Sequence, residues 1–210
     1  MNKDIDYIVS LLLDCQPSRA KQSNHAREVI QHLSDATPEM IVQVLRKCVY
    51  EVTPPSLPHQ KLLIDEIERK MNQFDSRQLS MIMWSLGVVF TKPGESFFKA
   101  FEGKALSQVE IFIPKSIANI LGGYAKLGVT PSDSLLKGFE ERSMTLVRNF
   151  VLDELVNIFW AFGKLGIAPN KLLLGALEEK TRDEIIDLRC QDIVKILWVY
   201  TRLKMKPGIE

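Results

Sequence analysis

Cysteine is scarce in this 210-residue sequence, and the three present, Cys15, Cys48 and Cys190, form no Cys-x-x-Cys pair. An odd number without paired spacing excludes a disulfide framework and favours free thiols in a reducing compartment. His25 and His32 could share a helix face, but no cysteine pair or carboxylate cluster completes a ligand set. We therefore expect no metal site.

Motifs of catalysis are absent as well. The sequence holds no Gly-rich phosphate loop, no nucleophile elbow and no His-Glu-x-x-His. The carboxylate pairs Glu140-Glu141 and Glu178-Glu179 recur at one position of the repeat described below, which indicates a solvated helix end, because a catalytic pair is normally needed once. We expect a protein that is not an enzyme, with no catalytic residue, no cofactor and no small-molecule substrate.

Long apolar runs and a strong charge bias are also missing. No run of about 18 apolar residues is present, so we expect no membrane span, and no alternating pattern predicts a sheet. The N-terminus resembles neither a secretory signal nor a transit peptide. With 27 basic and 26 acidic residues the net charge is only +1, so a surface for nucleic acid must be a local basic stripe.

Proline, in contrast, is placed at regular intervals. Six of the ten prolines stand 38 residues apart, and we call them the repeat prolines. A fixed spacing over the whole chain is typical of a repeat array, which forms an extended binding surface. The repeat prolines are Pro17, Pro55, Pro93, Pro131, Pro169 and Pro207.

Positions counted back from the repeat prolines carry similar apolar residues in successive copies, and we call each such set a column. Apolar columns at helical spacing predict one buried stripe per copy. The fourteenth-before column is Ile41, Leu79, Ile117, Leu155 and Ile193. The tenth-before column is Tyr7, Leu45, Met83, Leu121, Phe159 and Leu197.

Each copy reads as two helices joined by a turn. Gly128 and Gly166 end the first helix ahead of a proline, and Pro114 stands where a first helical residue would be. Asp133 and Ser134 offer oxygens to cap a second helix. Apolar residues of the second helix are predicted at Phe97, Phe98, Phe101, Leu135, Leu136, Phe139, Leu172, Leu173 and Leu177.

The fold class that follows is all-α: a right-handed α-solenoid of stacked helix-turn-helix hairpins with a 38-residue period. We expect one array over residues 1–210, with a degenerate capping repeat at about 1–36 and repeats at 37–74, 75–112, 113–150 and 151–188. Residues 189–210 then form the first helix of an incomplete last repeat. This last helix is expected to be exposed and open to a protein partner.

The run Trp160-Ala-Phe-Gly-Lys-Leu-Gly-Ile-Ala-Pro169 resembles the octotricopeptide repeat, as does Gly122-Gly-Tyr-Ala-Lys-Leu-Gly-Val-Thr-Pro131. The resemblance covers about residues 40–207. It implies a non-enzymatic RNA-binding adaptor, located in mitochondria or plastids, that acts in RNA metabolism or on the organellar ribosome. No segment similar to the RAP domain of such proteins follows the array. A cytoplasmic location, or an interaction module like those of some intracellular bacteria, remains the alternative.

Three further columns predict where single-stranded RNA would bind. An amide or amine, a small residue and a cation recur on the first helix, and they could read a base edge, admit the base and meet phosphate, respectively. A merely solvated face, with cations favoured by the helix dipole, is the alternative. The candidate RNA-binding residues are Gln43, Lys47, Asn119, Lys126, Asn157, Lys164, Lys195 and Arg202.

Trp84, Trp160 and Trp198 share the ninth-before column. They could stack on bases, but we expect them to fill space between hairpins, because Gly122 takes the same column. A protein-interaction scaffold without RNA contact therefore stays open beside the RNA adaptor. Cations on one face favour RNA, and an exposed apolar patch favours a protein.

Overall fold

The computed structural model describes residues 3–13, 31–50 and 55–206. Over these ranges the chain is helical and has no strand, which confirms the all-α prediction. The chain divides into two compact units, one up to Lys104 and one from Ala105 onward. Cys15, His25, Pro17 and Pro207 lie outside the described residues, as does most of the predicted capping repeat. None of the described helices has the length and apolar character that a membrane crossing requires.

Within residues 3–13, 31–50 and 55–104, the first unit has four complete long helices and most of another one. Residues 31–35 are also helical. Helix α2 packs against both α1 and α4, so helices that are not adjacent in the sequence share the core. The helices are α1 (Lys3–Leu13), α2 (Pro38–Tyr50), α3 (Leu57–Arg69), α4 (Ser76–Val89) and α5 (Glu95–Leu106), the last of which ends in the second unit.

The second unit alternates two kinds of helix. Helix α8 packs against α6 and α10, while α7 packs against α9. First helices therefore stack on first helices and second helices on second helices, which is the arrangement of a helical solenoid. The helices are α6 (Pro114–Leu127), α7 (Asp133–Leu146), α8 (Leu152–Leu165), α9 (Lys171–Asp183) and α10 (Cys190–Leu203).

The predicted helix ends are largely confirmed. Pro114 is the first residue of α6, and Gly128 and Gly166 adopt left-handed φ angles of 64° and 74° after α6 and α8. The cap of α7 differs from the prediction: Ser132, and not Asp133 or Ser134, accepts a hydrogen bond from the backbone N–H of Leu135 at 3.3 Å. Ser132 has the extended backbone that a cap requires, whereas Asp133 is already helical.

A short 3₁₀ turn follows each second helix at equal intervals along the chain. The residue after it is a buried phenylalanine in three copies, Phe74, Phe112 and Phe150, and the half-buried Leu188 in the fourth. In the second unit the ring of Phe112 packs edge-on against Phe139, with centroids 5.5 Å apart, and so ties the turn to α7. The turns are Met71–Gln73, Val109–Ile111, Val147–Asn149 and Ile185–Asp187.

Four of the predicted core residues are exposed, namely Tyr7, Leu172, Ile193 and Leu197. Leu172 is 77% exposed, because the buried stripe of α9 runs through Leu173 and Leu177, and Leu172 points away from it. Ile193 and Leu197 are exposed as well, although their columns are buried in the preceding copies. No further helix within the described ranges covers that side of α10.

Lys70 is a buried cation that holds a loop of the first unit. Its amine donates hydrogen bonds to the carbonyls of Leu33, Ser34 and Ala36 at 3.3, 2.8 and 2.5 Å, and lies 3.1 Å from a carboxylate oxygen of Glu66. Although burial opposes it, the hydrogen bonds from Arg69 and Lys70 lower the pKa of Glu66. Lys70 thus donates to three backbone carbonyls, of which, among the described residues, only that of Leu33 also accepts a backbone hydrogen bond, from the N–H of Ala36.

We expect Lys70→Met to lower the free energy of unfolding by about 2 to 4 kcal/mol, because it removes a buried donor shared by three backbone carbonyls and the half-buried Glu66 carboxylate. Chemical denaturation followed by circular dichroism measures this. Lys61→Met is the matched control, since Lys61 forms an exposed i,i+4 pair with Asp65. An equal loss for both variants would contradict the role of Lys70.

Candidate nucleic-acid interface

Three packed helices of the second unit each carry one pair of the predicted RNA-binding residues. The two members of a pair are seven residues apart, nearly two turns, so they lie on one face of their helix. Because α8 packs between α6 and α10, the pairs lie on adjacent helices. The pairs are Asn119 and Lys126 on α6, Asn157 and Lys164 on α8, and Lys195 and Arg202 on α10.

The three cations nearest the helix C-termini are available for a ligand. Lys126, Lys164 and Arg202 are exposed, and none of them forms an ion pair with another described residue. Lys195 is half-buried, and its amine lies 3.9 Å from a carboxylate oxygen of Asp192. The row of free cations therefore runs along one end of α6, α8 and α10.

Lys126 has the most unusual environment of these cations. Its side chain reaches solvent, but neighbouring protein atoms desolvate the amine and thereby lower the pKa of Lys126. No carboxylate in the described ranges forms an ion pair with it. An anionic ligand at this position would restore the stabilisation that the ammonium group loses by partial burial.

The small residues between these pairs are placed differently from the prediction. Gly123, Ala161 and Val199 of the eighth-before column are buried, so they leave no opening for a base. They lie at the contact between first helices. The small residues of this region thus allow close helix packing and do not admit a ligand.

The residues of the ninth-before column, which include Trp160 and Trp198, reach the surface instead of the small eighth-before residues. Asn157, Trp160 and Lys164 follow one another at helical spacing, and Trp160 is half-buried. Trp198 is 40% exposed, and its ring lies over Gly163, 3.1 Å from where a β-carbon would stand. Trp198 therefore packs between α8 and α10, as expected, and for Trp84 and Trp160 the same role stays a prediction. The recurrence of tryptophan in one column was the sequence signal for this position, although the tryptophans were not among the predicted RNA-binding residues.

Gln43 and Lys47 belong to the first unit and are engaged within it. The amide of Gln43 donates a hydrogen bond to Glu39 at 3.1 Å. Lys47 forms an ion pair with Asp6 of α1. These two predicted residues are held by neighbouring side chains, in contrast to the free cations of the second unit.

Acidic residues lie near the N-termini of α8 and α10, and two of them are paired with one arginine. The guanidinium of Arg189 lies 2.6 Å from a carboxylate oxygen of Asp153 and 2.7 Å from one of Asp192. The hydrogen bond from Arg189 lowers the pKa of the buried Asp192. Asp153 and Asp192 thus share a basic partner, whereas Lys164 and Arg202 near the C-termini of these helices have no acidic partner among the described residues.

These helices form a stacked scaffold with a row of cations on one face. Within residues 3–13, 31–50 and 55–206, no three His, Cys, Asp or Glu side chains come together as metal ligands. Residues 60–207 match the family of RNA-editing substrate-binding complex 6 proteins, and the chain belongs to this family. No curated protein matches the chain at a significant level. The match shows an RNA-associated helical family, while the octotricopeptide repeat stays a prediction.

Gly163 is expected to control the packing of α10 against α8. A β-carbon on Gly163 would lie 2.8 Å from Val199, so Gly163→Ala should destabilise the second unit by about 1 to 3 kcal/mol. Gly122→Ala is the control, because a β-carbon there meets nothing within 4 Å. It should be neutral or stabilising by up to about 1 kcal/mol through helix propensity. Thermal unfolding compares the two, and equal midpoints would refute the close approach at Gly163.

Proposed function

We propose that this chain is a non-enzymatic adaptor that binds single-stranded RNA within an RNA-editing substrate-binding complex. Family membership supports the link to RNA editing. The observation that carries direct RNA contact is the row of Lys126, Lys164 and Arg202, three exposed and unpaired cations at equivalent positions of stacked helices. Such a row matches the spaced negative charges of an RNA backbone.

The polar residues beside the cations support a division of roles. Lys126, Lys164 and Arg202 would contact phosphates, which positions the strand without reading its sequence. Asn119 and Asn157 carry both a donor and an acceptor, so they would read base edges of an unpaired strand. Lys195 takes the position of these amides on α10 and would contact phosphate or base.

The proposal also extends to the cellular compartment of the protein and to the class of its helical repeat. A mitochondrial location is supported by the RNA-editing family, and it agrees with the organelles that the octotricopeptide resemblance implies. We propose that the hairpins are octotricopeptide-like, on the strength of the proline spacing and the Lys-Leu-Gly runs before Pro131 and Pro169. The family favours an editing complex over the organellar ribosome as the ribonucleoprotein concerned.

A protein-interaction scaffold without RNA contact is the second candidate. It is favoured by exposed apolar residues on α10, of which Val194 and Leu197 are 65% and 56% exposed. Exposed apolar surface of this kind is typical of protein contacts. The first experiment separates the two candidates: purified chain is titrated with random single-stranded RNA over a range of salt concentrations. Affinity that falls steeply with salt supports the adaptor, and no binding at low salt supports the scaffold.

Charge reversal of the cation row is the direct test. The triple variant with Lys126, Lys164 and Arg202 changed to Glu should weaken binding of single-stranded RNA by about 10- to 100-fold, because phosphate contacts become repulsive. The slope of log affinity against log salt should also fall. Fluorescence anisotropy with a labelled oligonucleotide measures both quantities.

A second triple variant controls for net charge. Lys137, Arg148 and Lys171 are exposed cations of α7, the following turn and α9, and reversal of all three changes the net charge by the same amount. This variant should keep RNA affinity within about threefold, as expected for long-range electrostatics screened by salt. Equal loss in both triple variants would show that no localised RNA site exists on α6, α8 and α10.

Asn157 should affect which base is preferred. Asn157→Ala removes an exposed amide, so selection of bound sequences from a random RNA pool should lose preference at one position. Affinity for the preferred sequence should fall about fivefold, while the salt dependence stays unchanged. Asn149→Ala, at an exposed asparagine of a 3₁₀ turn, is the control. An unchanged sequence preference would remove Asn157 from the site.

A further inference from the structure

The last described helix carries an apolar surface, four residues of which the other described residues leave 40% or more exposed. Ile193, Val194, Leu197 and Trp198 of α10 are 43, 65, 56 and 40% exposed, and we call these four residues the α10 surface. Their spacing of one, three and one residues places them on one stripe of the helix. A contiguous apolar stripe of this length marks an interaction site more often than scattered exposed leucines do.

In three of these four columns the residues are buried in the preceding copies of the repeat, while the column of Trp198 holds the half-buried Gly122 and Trp160. On α8, Leu155, Val156 and Phe159 are 0, 1 and 1% exposed, and they correspond to Ile193, Val194 and Leu197 of α10. On α6 the corresponding residues are also buried, at 0, 3 and 1%. The side chains are of one chemical kind in all three copies. What distinguishes α10 is therefore the lack of a covering element and not its chemistry.

A hollow lies next to this stripe. It has a volume of about 210 Å³ and opens between α8, α9 and α10. Leu188 lines it at the position where the preceding copy has the fully buried Phe150, so the smaller side chain leaves space. Glu178 and Arg182 stand among its lining residues, which gives an apolar floor with polar groups beside it. The remaining lining residues are Phe159, Thr181, Ile185, Ile196 and Tyr200.

We propose that the α10 surface docks an amphipathic helix of another protein, which inserts an aromatic or aliphatic side chain into the hollow beside Leu188. The α10 surface occupies the position whose equivalents on α6 and α8 are buried where these helices pack, since α8 packs against α6 and α10 packs against α8. An added helix is therefore the element that fits its spacing. Lys204 is exposed directly after the last residue of α10, and it favours a carboxylate on the docking helix there.

Two other occupants fit the surface less well. A second copy that docked through its α1 would need an apolar face there, yet Ile5, Ile8 and Leu12 of α1 are buried and Tyr7 alone is 43% exposed. Single-stranded RNA would gain little from Val194 and Leu197, because aliphatic side chains offer neither hydrogen bonds nor an aromatic plane for bases. The proposal does not depend on RNA binding by the cation row.

Footprinting of the assembled complex tests the proposal with the unaltered chain. Hydroxyl radicals oxidise exposed side chains, so the chain is treated alone and in the RNA-editing substrate-binding complex purified through a tag on the full-length protein. We expect oxidation of Val194, Leu197 and Trp198 to fall at least about fivefold in the complex. Leu172, an isolated exposed leucine of α9, is the internal control and should not change. Unchanged oxidation of the α10 surface would overturn the proposal.

A variant pair measures the contribution of the surface to assembly. The Val194→Asp and Leu197→Asp double variant should reduce co-purification with the complex about tenfold, while Leu172→Asp should not. Because these residues are exposed in the free chain, both variants should keep the circular dichroism spectrum, the unfolding midpoint and the RNA affinity of the original. Retained assembly of the folded double variant would contradict the proposal.

The identity of the occupant decides between the remaining outcomes. Protection that survives ribonuclease, with chemical cross-links from the α10 region to one other protein, supports the docking helix. Protection lost on ribonuclease treatment would assign the surface to RNA. Cross-links found only between two copies would show that a second copy of the chain covers the surface. Cross-links found only to another part of the same polypeptide would show that the chain covers its own surface. Each of these last three results overturns the proposal.

Discussion

The structure depends on one constraint: the first helix of a hairpin cannot bury its apolar stripe alone and needs a neighbouring first helix to do so. In the second unit α6 packs on α8 and α8 packs on α10. Gly163 permits the close approach on α8, where its missing side chain leaves room for Val199 and Trp198. Phe112 packs against Phe139 and so fixes the turn ahead of α6 to α7. Burial of these stripes supplies most of the driving force for the stack.

The same stacking produces both candidate binding surfaces. Equivalent positions on packed helices come into rows, so single cations such as Lys126, Lys164 and Arg202 become a line of positive charge that no one helix could form. A net charge of +1 is compatible with this line because the acidic residues lie elsewhere, for example where Arg189 neutralises Asp153 and Asp192. The apolar surface of α10 arises where the stacking series meets no further described helix.

Sequence patterns predicted the helical class, the turn glycines and most of the core. Apolar columns at helical spacing are reliable because burial imposes a period on every copy. One error was a shift by a single residue along the helix: Leu172 was predicted to be buried, but the buried stripe runs through Leu173. Another error concerned a helix cap, because several adjacent polar residues could cap α7 and the one that does so is Ser132. Three of the predicted cations of the second unit, Lys126, Lys164 and Arg202, are exposed, but Lys195 is half-buried and the small residues Gly123, Ala161 and Val199 between the pairs are buried.

The sequence by itself determined the periodic alternation of helices and turns, because proline, glycine and apolar spacing act through local backbone geometry and burial. It also identified an RNA-associated family through residues 60–207. Only the tertiary structure decided which side of each helix remains exposed, since exposure depends on what packs against it. Lys47 and Lys164 look alike in the sequence, yet one is paired with Asp6 of α1 and the other is free. Ile193 and Leu155 share a column, and their neighbours alone make one a surface residue and the other a core residue.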